Sequence, residues 1–413
     1  MTPAEAERYL LSLELFGMRF GLDRMRRLMT TLGHPERQFE SIHVVGTNGK
    51  SSTVRMIAAI LDHHEVRTGS YLSPHLVSFT ERIRIGDHDL EPPAFAAAVA
   101  RAAHAAELVD RSLAGDDRVT QFEALTAAAY SELARREVDV AVIEAGLGGR
   151  YDATNVIPSR VQVLTSVGLE HTRWLGPTID DIATEKLDVV QPGGTLVLGA
   201  DLHPDAVKRA ETVAGERAAR VVFAGVDPGV PVAALGAFQR RNFELARTAV
   251  EAYLGRLEPA AVRDAAESVR IPGRLQIVGQ EPLTLLDGAH NPDGIGALAE
   301  SLPAITAEHH PVVAVVSILD DKDAAGMLAR LLPHCDATVF TSSQNPRALP
   351  PPTLQSLSRQ LHGPPSEIVP AARDAVRRAR ELAGASGIVI ATGSIYLVAD
   401  LLAPAHRRRA SML

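Results

Sequence analysis

The sequence predicts two α/β domains in tandem, each a mostly parallel sheet with helices on its faces. Three observations predict it. Short, nearly continuous apolar runs alternate with Ala-, Leu- and Arg-rich stretches, and a strand apolar on both faces belongs inside a parallel sheet. Glycine-containing turns stand between the runs. Near residue 270 the rhythm breaks at Ile271, Pro272, Gly273 and Arg274, and a second series of strands and helices begins. A chain of 413 residues fits two or three domains at roughly 100–200 residues each. The expected division is 1–270 and 271–413, the second domain being the smaller.

The first forty residues read as mostly helical. Strands are then expected over 42–45, 138–143, 161–167, 195–198 and 221–223, with a short strand-like segment at 70–72. Helical periodicity covers 51–63, 95–108 and 123–136. In the second series the strands are 283–286, 312–318, 337–340 and 387–391. The proline-rich run 348–353 reads as a surface loop. The basic tail at His406, Arg407, Arg408 and Arg409 reads as a solvated, frayed end. No internal repeat or low-complexity region stands out.

Composition excludes several classes. Hydrophobic residues make up 46% and charged residues 22%, ordinary values for a globular enzyme. Lys plus Arg is 42 and Asp plus Glu is 50, a net charge of −8, which argues against a general nucleic-acid binder. The single cysteine, Cys335, can form neither an intramolecular disulfide nor a thiolate metal cluster. There is no apolar run of about 18 residues to cross a membrane. The N-terminus lacks the basic start and apolar run of a signal peptide. A cytoplasmic protein with no membrane partner is the expectation.

The strongest local signal runs from Ile42 to Thr53. A buried strand enters a glycine turn, and Lys50 is followed by hydroxyl residues at a helix start. Gly46 and Gly49 let backbone N–H groups turn toward phosphate oxygens, and the helix N-terminus adds partial positive charge. Lys50 can neutralise a triphosphate, and a hydroxyl after it can reach Mg²⁺. The match to the usual P-loop is incomplete, because Val44 stands where its first glycine would fall. An ordinary strand-to-helix turn with an exposed lysine is the alternative. With the phosphate reading, the fold becomes a P-loop-containing ATPase domain followed by a smaller, Rossmann-like α/β domain.

Other constellations are ambiguous taken singly. Glu144 ends an apolar strand before a glycine turn, where ligands gather in doubly wound sheets. His171 follows the next strand; it is either a metal ligand or a loop histidine bonded to backbone. Ser73, Pro74 and His75 read as a turn. Lys186, beside Glu185, reads locally as a solvated helix position. Asp287 and His290 lie at a strand end, where a capped turn explains them equally well.

Together these residues resemble the folylpolyglutamate synthase/dihydrofolate synthase branch of the Mur ligase superfamily. The shared motifs run in order along most of the chain. They start with 46–50, 73–75, 120–123, 144–155, 171–172 and 185–186. Gln239, Asn242, 272–274, 287–292, 321–323 and 392–394 follow, ending at Tyr396. The ordered set is far more specific than any member. It implies an ATP-dependent amide ligase: a substrate carboxylate becomes an acyl phosphate, and the amine of L-glutamate then displaces phosphate. The acid would be dihydropteroate, a folate polyglutamate tail, or both.

The resemblance also implies roles. Thr47, Asn48, Gly49 and Lys50 would cradle the triphosphate, with Ser51 and Ser52 beside them. Ser73 and Glu144 would bind one Mg²⁺ and His171 a second. Lys186 matches the position of a carbamylated lysine, whose anionic form suits a magnesium cluster, so the local readings of His171 and Lys186 are reversed. Asn242, Arg274 and Asp287 match contacts to adenine, phosphate and ribose. Thr120, Gln121, Phe122 and Glu123, with Tyr151, Asp152 and Ala153, match the pterin-binding region. Ser317, Asp321, His290 and Arg347 are candidates for the L-glutamate site, and His290 or Lys322 for offsetting charge in catalysis. The family suggests a monomer.

Three departures stand out. Ser51 and Ser52 both follow Lys50, where the family usually has glycine first, so metal ligation could shift to Ser51. Glu170 replaces the common aspartate before the histidine, one methylene longer. Tyr151 replaces a common leucine, which leaves open a paralogue that uses a different carboxylic acid. A nucleotide-binding regulatory protein without ligase activity is the reading from another class; the intact Lys50, Glu144, His171 and Lys186 argue against it. A cell-wall ligase fits 120–123 and 147–150 less well.

Overall fold

A computed structural model describes residues 1–14 and 21–404. The basic tail at 406–409 lies outside the described residues. Among the described residues fourteen strands form two sheets. In chain order the first eight are β1 (Glu40–Val45), β2 (Thr68–Tyr71), β3 (Ile83–Ile85), β4 (His88–Asp89), β5 (Val140–Glu144), β6 (Val161–Leu164), β7 (Thr195–Leu198) and β8 (Arg220–Phe223). They lie in the order β4-β3-β2-β5-β1-β6-β7-β8. All pairings from β2 to β8 are parallel, and β3 and β4 add an antiparallel edge.

The central strands form because both their faces are covered. Every residue of β5 and β6 is buried. On one face Lys50–His63 packs with Ala237–Leu254 over Ile42, Val44, Val142 and Val163. On the other, Pro92–Asp110 and Gln121–Arg135 pack over Ala141 and Ile143. The register sets Val44 beside Glu144 and Val45 beside Leu164, so the three strands end level. β1 lies between β5 and β6, and at such a crossover the ends of the strands open a crevice for ligand.

The second sheet comprises β9 (Gln276–Gln280), β10 (Leu283–Leu286), β11 (Val312–Val316), β12 (Ala337–Ser342), β13 (Ser366–Ala371) and β14 (Ile388–Thr392). Its order is β13-β12-β11-β14-β10-β9, parallel except for the antiparallel edge strand β9. Ile271 still packs in the first core and Leu275 in the second, so the chain passes between the sheets there.

The run 348–353 is not wholly loop. Ala348 pairs with Leu319 in an isolated bridge, and Pro351 opens the helix Pro351–Gln360. Proline suits the first helical turn, where its missing N–H has no partner to lose and its φ is already helical. The strand expected over 161–167 stops at Leu164 because Thr165 and Ser166 turn to meet the Gly46–Lys50 loop.

Candidate active site

The phosphate loop is built by contacts with the end of β6. Thr47 N–H donates to the Ser166 carbonyl at 2.8 Å and Asn48 N–H to Ser166 Oγ at 2.9 Å. Thr165 Oγ1 donates to the Asn48 carbonyl at 2.6 Å. A Cβ on Gly46 would stand 1.9 Å from Thr165 Oγ1, so only glycine fits there. Gly49, at φ +84°, caps the helix Lys50–His63 in a left-handed conformation that glycine adopts without strain. Lys50 Nζ donates to the carbonyls of Gly46 and Thr47, both at 3.1 Å, so the loop closes around its own cation.

Glu144 sits beside that cation, 1% exposed. Its oxygens accept Ser51 Oγ–H at 2.8 Å and the Ser73 backbone N–H at 3.1 Å. Ser51 thus presents a hydroxyl, whereas Ser73 reaches the carboxylate through its main chain. Burial raises the Glu144 carboxyl above the usual range, and Lys50 only partly offsets it. Lys186 is buried and donates to the Gly46 carbonyl at 2.8 Å. Burial, then the Lys50 charge, push its amine down to about 7. His171 holds a left-handed backbone before the short helix Thr172–Leu175, and burial brings its imidazole down to about 4. Among the described residues, no three His, Cys, Asp or Glu side chains cluster to hold a metal unaided. The donors present nonetheless fit Mg²⁺, which usually takes one or two carboxylates and leaves its other positions to phosphates and water.

The second sheet closes over this loop. Asn291 caps the helix Pro292–Thr306 and exchanges two hydrogen bonds with Asn48, at 3.0 and 3.1 Å. It also donates to Glu170 Oε2 at 3.0 Å. Lys322 Nζ donates to Glu170 Oε1 at 2.9 Å, and His290 Nε2 lies 3.5 Å from the same oxygen. Burial would raise the Glu170 carboxyl, but His290 and Lys322 outweigh it and hold it at about 2. The longer side chain of Glu170 is therefore the meeting point of three residues from the other sheet.

Toward the helix Ala237–Leu254, Asn242 donates to Gln239 Oε1 at 3.0 Å and its own Oδ1 lies against Gly49. Asp287, 1% exposed, accepts the backbone N–H groups of Leu275 and Ala289 at 2.9 and 2.8 Å, so it stitches the crossing between sheets. Arg274 lies against Gly288, where a Cβ would stand 2.1 Å from Nη1.

At the other end Thr120 caps Gln121–Arg135 in a capping box with Glu123. Glu123 also receives Arg24 Nε at 3.0 Å, and Arg24 reaches Asp117 as well. Gln121 donates to the Leu10 carbonyl at 2.8 Å. Phe122 presents its ring, lying against Gly146 and 6.0 Å from the Tyr71 ring. Asp152 accepts Leu147 N–H at 2.8 Å and Thr154 N–H at 3.0 Å, and so shapes the glycine turn after β5. Ala153 is buried, and Tyr151 is 46% exposed.

One cavity of about 880 Å³ collects these residues, from Asn242 and Arg274 through Lys50 and Glu144 to Phe122 and Tyr151. Lys322, Asp321, Arg347 and His290 line it too. Ser317 does not: it is buried under β12, where its hydroxyl accepts Ser343 N–H at 3.1 Å. Two lining residues carry no motif signal that would single them out in the sequence: Arg24 and Arg82. Ser394 and Tyr396, the end of the shared pattern, also line the cavity.

A phosphate loop on one sheet, closed by charged side chains from a second, defines an ATP-dependent ligase of the Mur class. Residues 44–230 match the Mur ligase middle domain, and 273–395 match the Mur ligase glutamate ligase domain. The chain is 35% identical to the dihydrofolate synthase/folylpolyglutamate synthase of Mycobacterium tuberculosis, over 83% of this chain and 78% of that one. The solved structure of Mycobacterium tuberculosis folylpolyglutamate synthase complexed with ADP and AMPPCP superposes with a TM-score of 0.88 at 32% identity, covering 96% of this chain and 97% of that one. The Yersinia pestis folylpolyglutamate synthase/dihydrofolate synthase complexed with AMPPNP and Mn ion does so at 0.84 and 30%, covering 97% of each. This chain belongs to the folylpolyglutamate synthase/dihydrofolate synthase family. No helix among the described residues is long and apolar enough to cross a membrane.

Proposed function

We propose that this chain joins L-glutamate to the carboxylate of dihydropteroate and of reduced folates through an acyl phosphate. The observation that carries this reading is the single cavity that joins the phosphate loop to the Phe122 wall. Residues 1–270 would hold the acid and most of the ATP, and 271–413 the amino acid and the remaining contacts to ATP. A carboxylate oxygen attacks the γ-phosphorus, and the β–γ bridging oxygen leaves on ADP. The glutamate nitrogen then attacks the acyl carbon, loses a proton, and phosphate departs with the C–O bonding pair.

The residue roles follow. Thr47, Asn48, Gly49 and Lys50 hold the triphosphate, with Ser51 and Ser52 beside them. Asn242, Arg274 and Asp287 serve adenine, phosphate and ribose. Thr120 to Glu123 and Tyr151 to Ala153 form the pterin wall. His290 and Lys322 offset charge as the tetrahedral centre forms. Glu144 with Ser51 or Ser73 would hold one Mg²⁺, and His171 with carbamylated Lys186 a second; bound there, the ions would neutralise phosphate charge. His171, held neutral near neutral pH, keeps a lone pair free for a metal. An amine near 7 is partly unprotonated at neutral pH, the form that adds CO₂. In ¹³C NMR with labelled bicarbonate, a carbamate signal lost in Lys186→Arg supports this assignment, and its absence from active wild-type protein removes it.

A working monomer, as the family resemblance suggests, is the expectation that light scattering checks. Its half-buried thiol suits the reducing cytoplasm. The test of the reaction is ADP release with ATP, Mg²⁺ and L-glutamate, using dihydropteroate, tetrahydrofolate or no acid. Glutamate-dependent release with both acids is expected. Release with neither, but with another aromatic acid, would overturn the folate reading and point to the exposed Tyr151 as the cause.

A further inference from the structure

Arg82 is 1% exposed and lines the cavity with Ser73, Pro74, Phe122 and Glu144. Two contacts fix its guanidinium. Nε donates to His75 Nδ1 at 2.9 Å, and the group lies over the Phe79 ring, 5.6 Å from its centroid. His75 Nδ1 is therefore the acceptor, and the ring carries its one proton on Nε2. Nη2 makes no hydrogen bond of acceptable geometry, although the Tyr71 hydroxyl is near enough to act on it. Among the described residues Arg82 has no carboxylate within ion-pair distance. Glu144 and Glu81 act on its charge only from further away.

The other buried arginines differ. Arg24 pairs with Glu123 and Asp117, and Arg84 with Asp87 and Asp89. An arginine stays charged when buried, and a buried charge without a counterion is strongly unfavourable. The histidine that orients Arg82 accepts from it and brings no negative charge, so the fork is open to an anion from outside the chain. A planar guanidinium fork matches a carboxylate or a phosphoryl group bidentately. Arg82 has neighbours on both sides of the cavity: Glu144 acts on its charge, and Tyr71, which also acts on it, lies 6.0 Å from the Phe122 ring.

We propose that Arg82 is the binding and catalytic anchor for the carboxylate of the acid substrate and for the acyl phosphate formed from it. This rests on the ligase reading above. His75 and Phe79 are its positioning residues. No bond is made or broken on Arg82; it holds the attacking oxygen in place and balances negative charge through both steps.

The test compares wild type with Arg82→Met and Arg82→Lys, using 7,8-dihydropteroate and its primary carboxamide. The folded state is checked by circular dichroism and by ADP affinity. Wild type is expected to bind the acid about 30-fold more tightly than the amide, the scale of a lost charge-assisted hydrogen bond. In Arg82→Met that preference should vanish, the KM for the acid should rise by a similar factor, and added guanidinium ion should restore part of the rate. KM values for ATP and L-glutamate should stay within about threefold. Equal discrimination in wild type and a folded Arg82→Met overturns the proposal. So does a uniform rise in all three KM values without rescue, which marks a structural role. If Arg82→Met does not fold, wild-type discrimination and the acid KM of Arg82→Lys decide it: a preference below about threefold, or an acid KM unchanged by lysine, overturns it. Wild type that binds neither probe contradicts the folate reading instead.

Discussion

Lys50 carries the largest single burden at the residue scale. Its ammonium is tied only to carbonyls of its own loop, so its charge is free to meet phosphate. Lys50→Ala should lower kcat by about a thousandfold or more, the range for losing a preorganised electrostatic group, while the fold survives. Steady-state ADP release checks it, and a near-normal rate would remove the phosphate-loop assignment. Ser51 bears on the departure from the family pattern. Its hydroxyl, not that of Ser73, meets the Glu144 carboxylate. Glu170 was legible only as a longer aspartate. Its role depends on Lys322, His290 and Asn291, more than 100 residues downstream, and sequence spacing cannot supply that. Arg82 was not legible at all, since its significance lies in a partner it lacks.

Elements differ in how clearly the chain announces them. β1, β5 and β6 are visible because both faces are buried and every position must be apolar or locally satisfied. β4 is exposed throughout, and β13 is half-exposed to exposed along its length, so no hydrophobic pattern marks either. The proline run misleads for a related reason: its composition is that of a turn, yet it starts a helix. The helix Gln121–Arg135 shows how an element is secured beyond its apolar face. Near its end Glu132, with a fully buried side chain, receives Arg101, Arg135 and Arg136. Burial would raise its carboxyl, but the three arginines prevail and hold it at about 2, against an ordinary 4.5. A depressed folded value stabilises the protein above 4.5 and ceases to do so as pH falls toward 2. Glu132→Gln should therefore lower the urea midpoint at about pH 6, and the gap from wild type should narrow by about pH 3. A pH-independent gap would deny the ion pairs that role.

At the scale of the whole molecule the two sheets meet through few polar groups, and Glu170 is central among them. Glu170→Gln and Lys322→Met should each raise the KM for L-glutamate, and the double variant should be little worse than either alone. A coupling of about 1–3 kcal/mol, as neighbours in one network show, is the expected result of that cycle; strict additivity would mean that the bridge does not position Lys322. Arg241 makes a second bridge, from the helix Ala237–Leu254 to Glu300 at 2.8 Å. With several such contacts, removing one should loosen the closed arrangement without separating the lobes.

The paired side-chain amides of Asn48 and Asn291 have a thermodynamic corollary. One belongs to the loop that grips phosphate and the other to the helix cap of the opposite lobe, so neither can shift without disturbing its twin. Nucleotide and amino acid should then be reciprocal effectors. Whatever factor ADP contributes to L-glutamate affinity, L-glutamate must return to ADP. Calorimetric titrations run in both orders would measure that factor. Asn291→Ala should bring it close to one, leaving two ligands that share a cavity and are indifferent to each other.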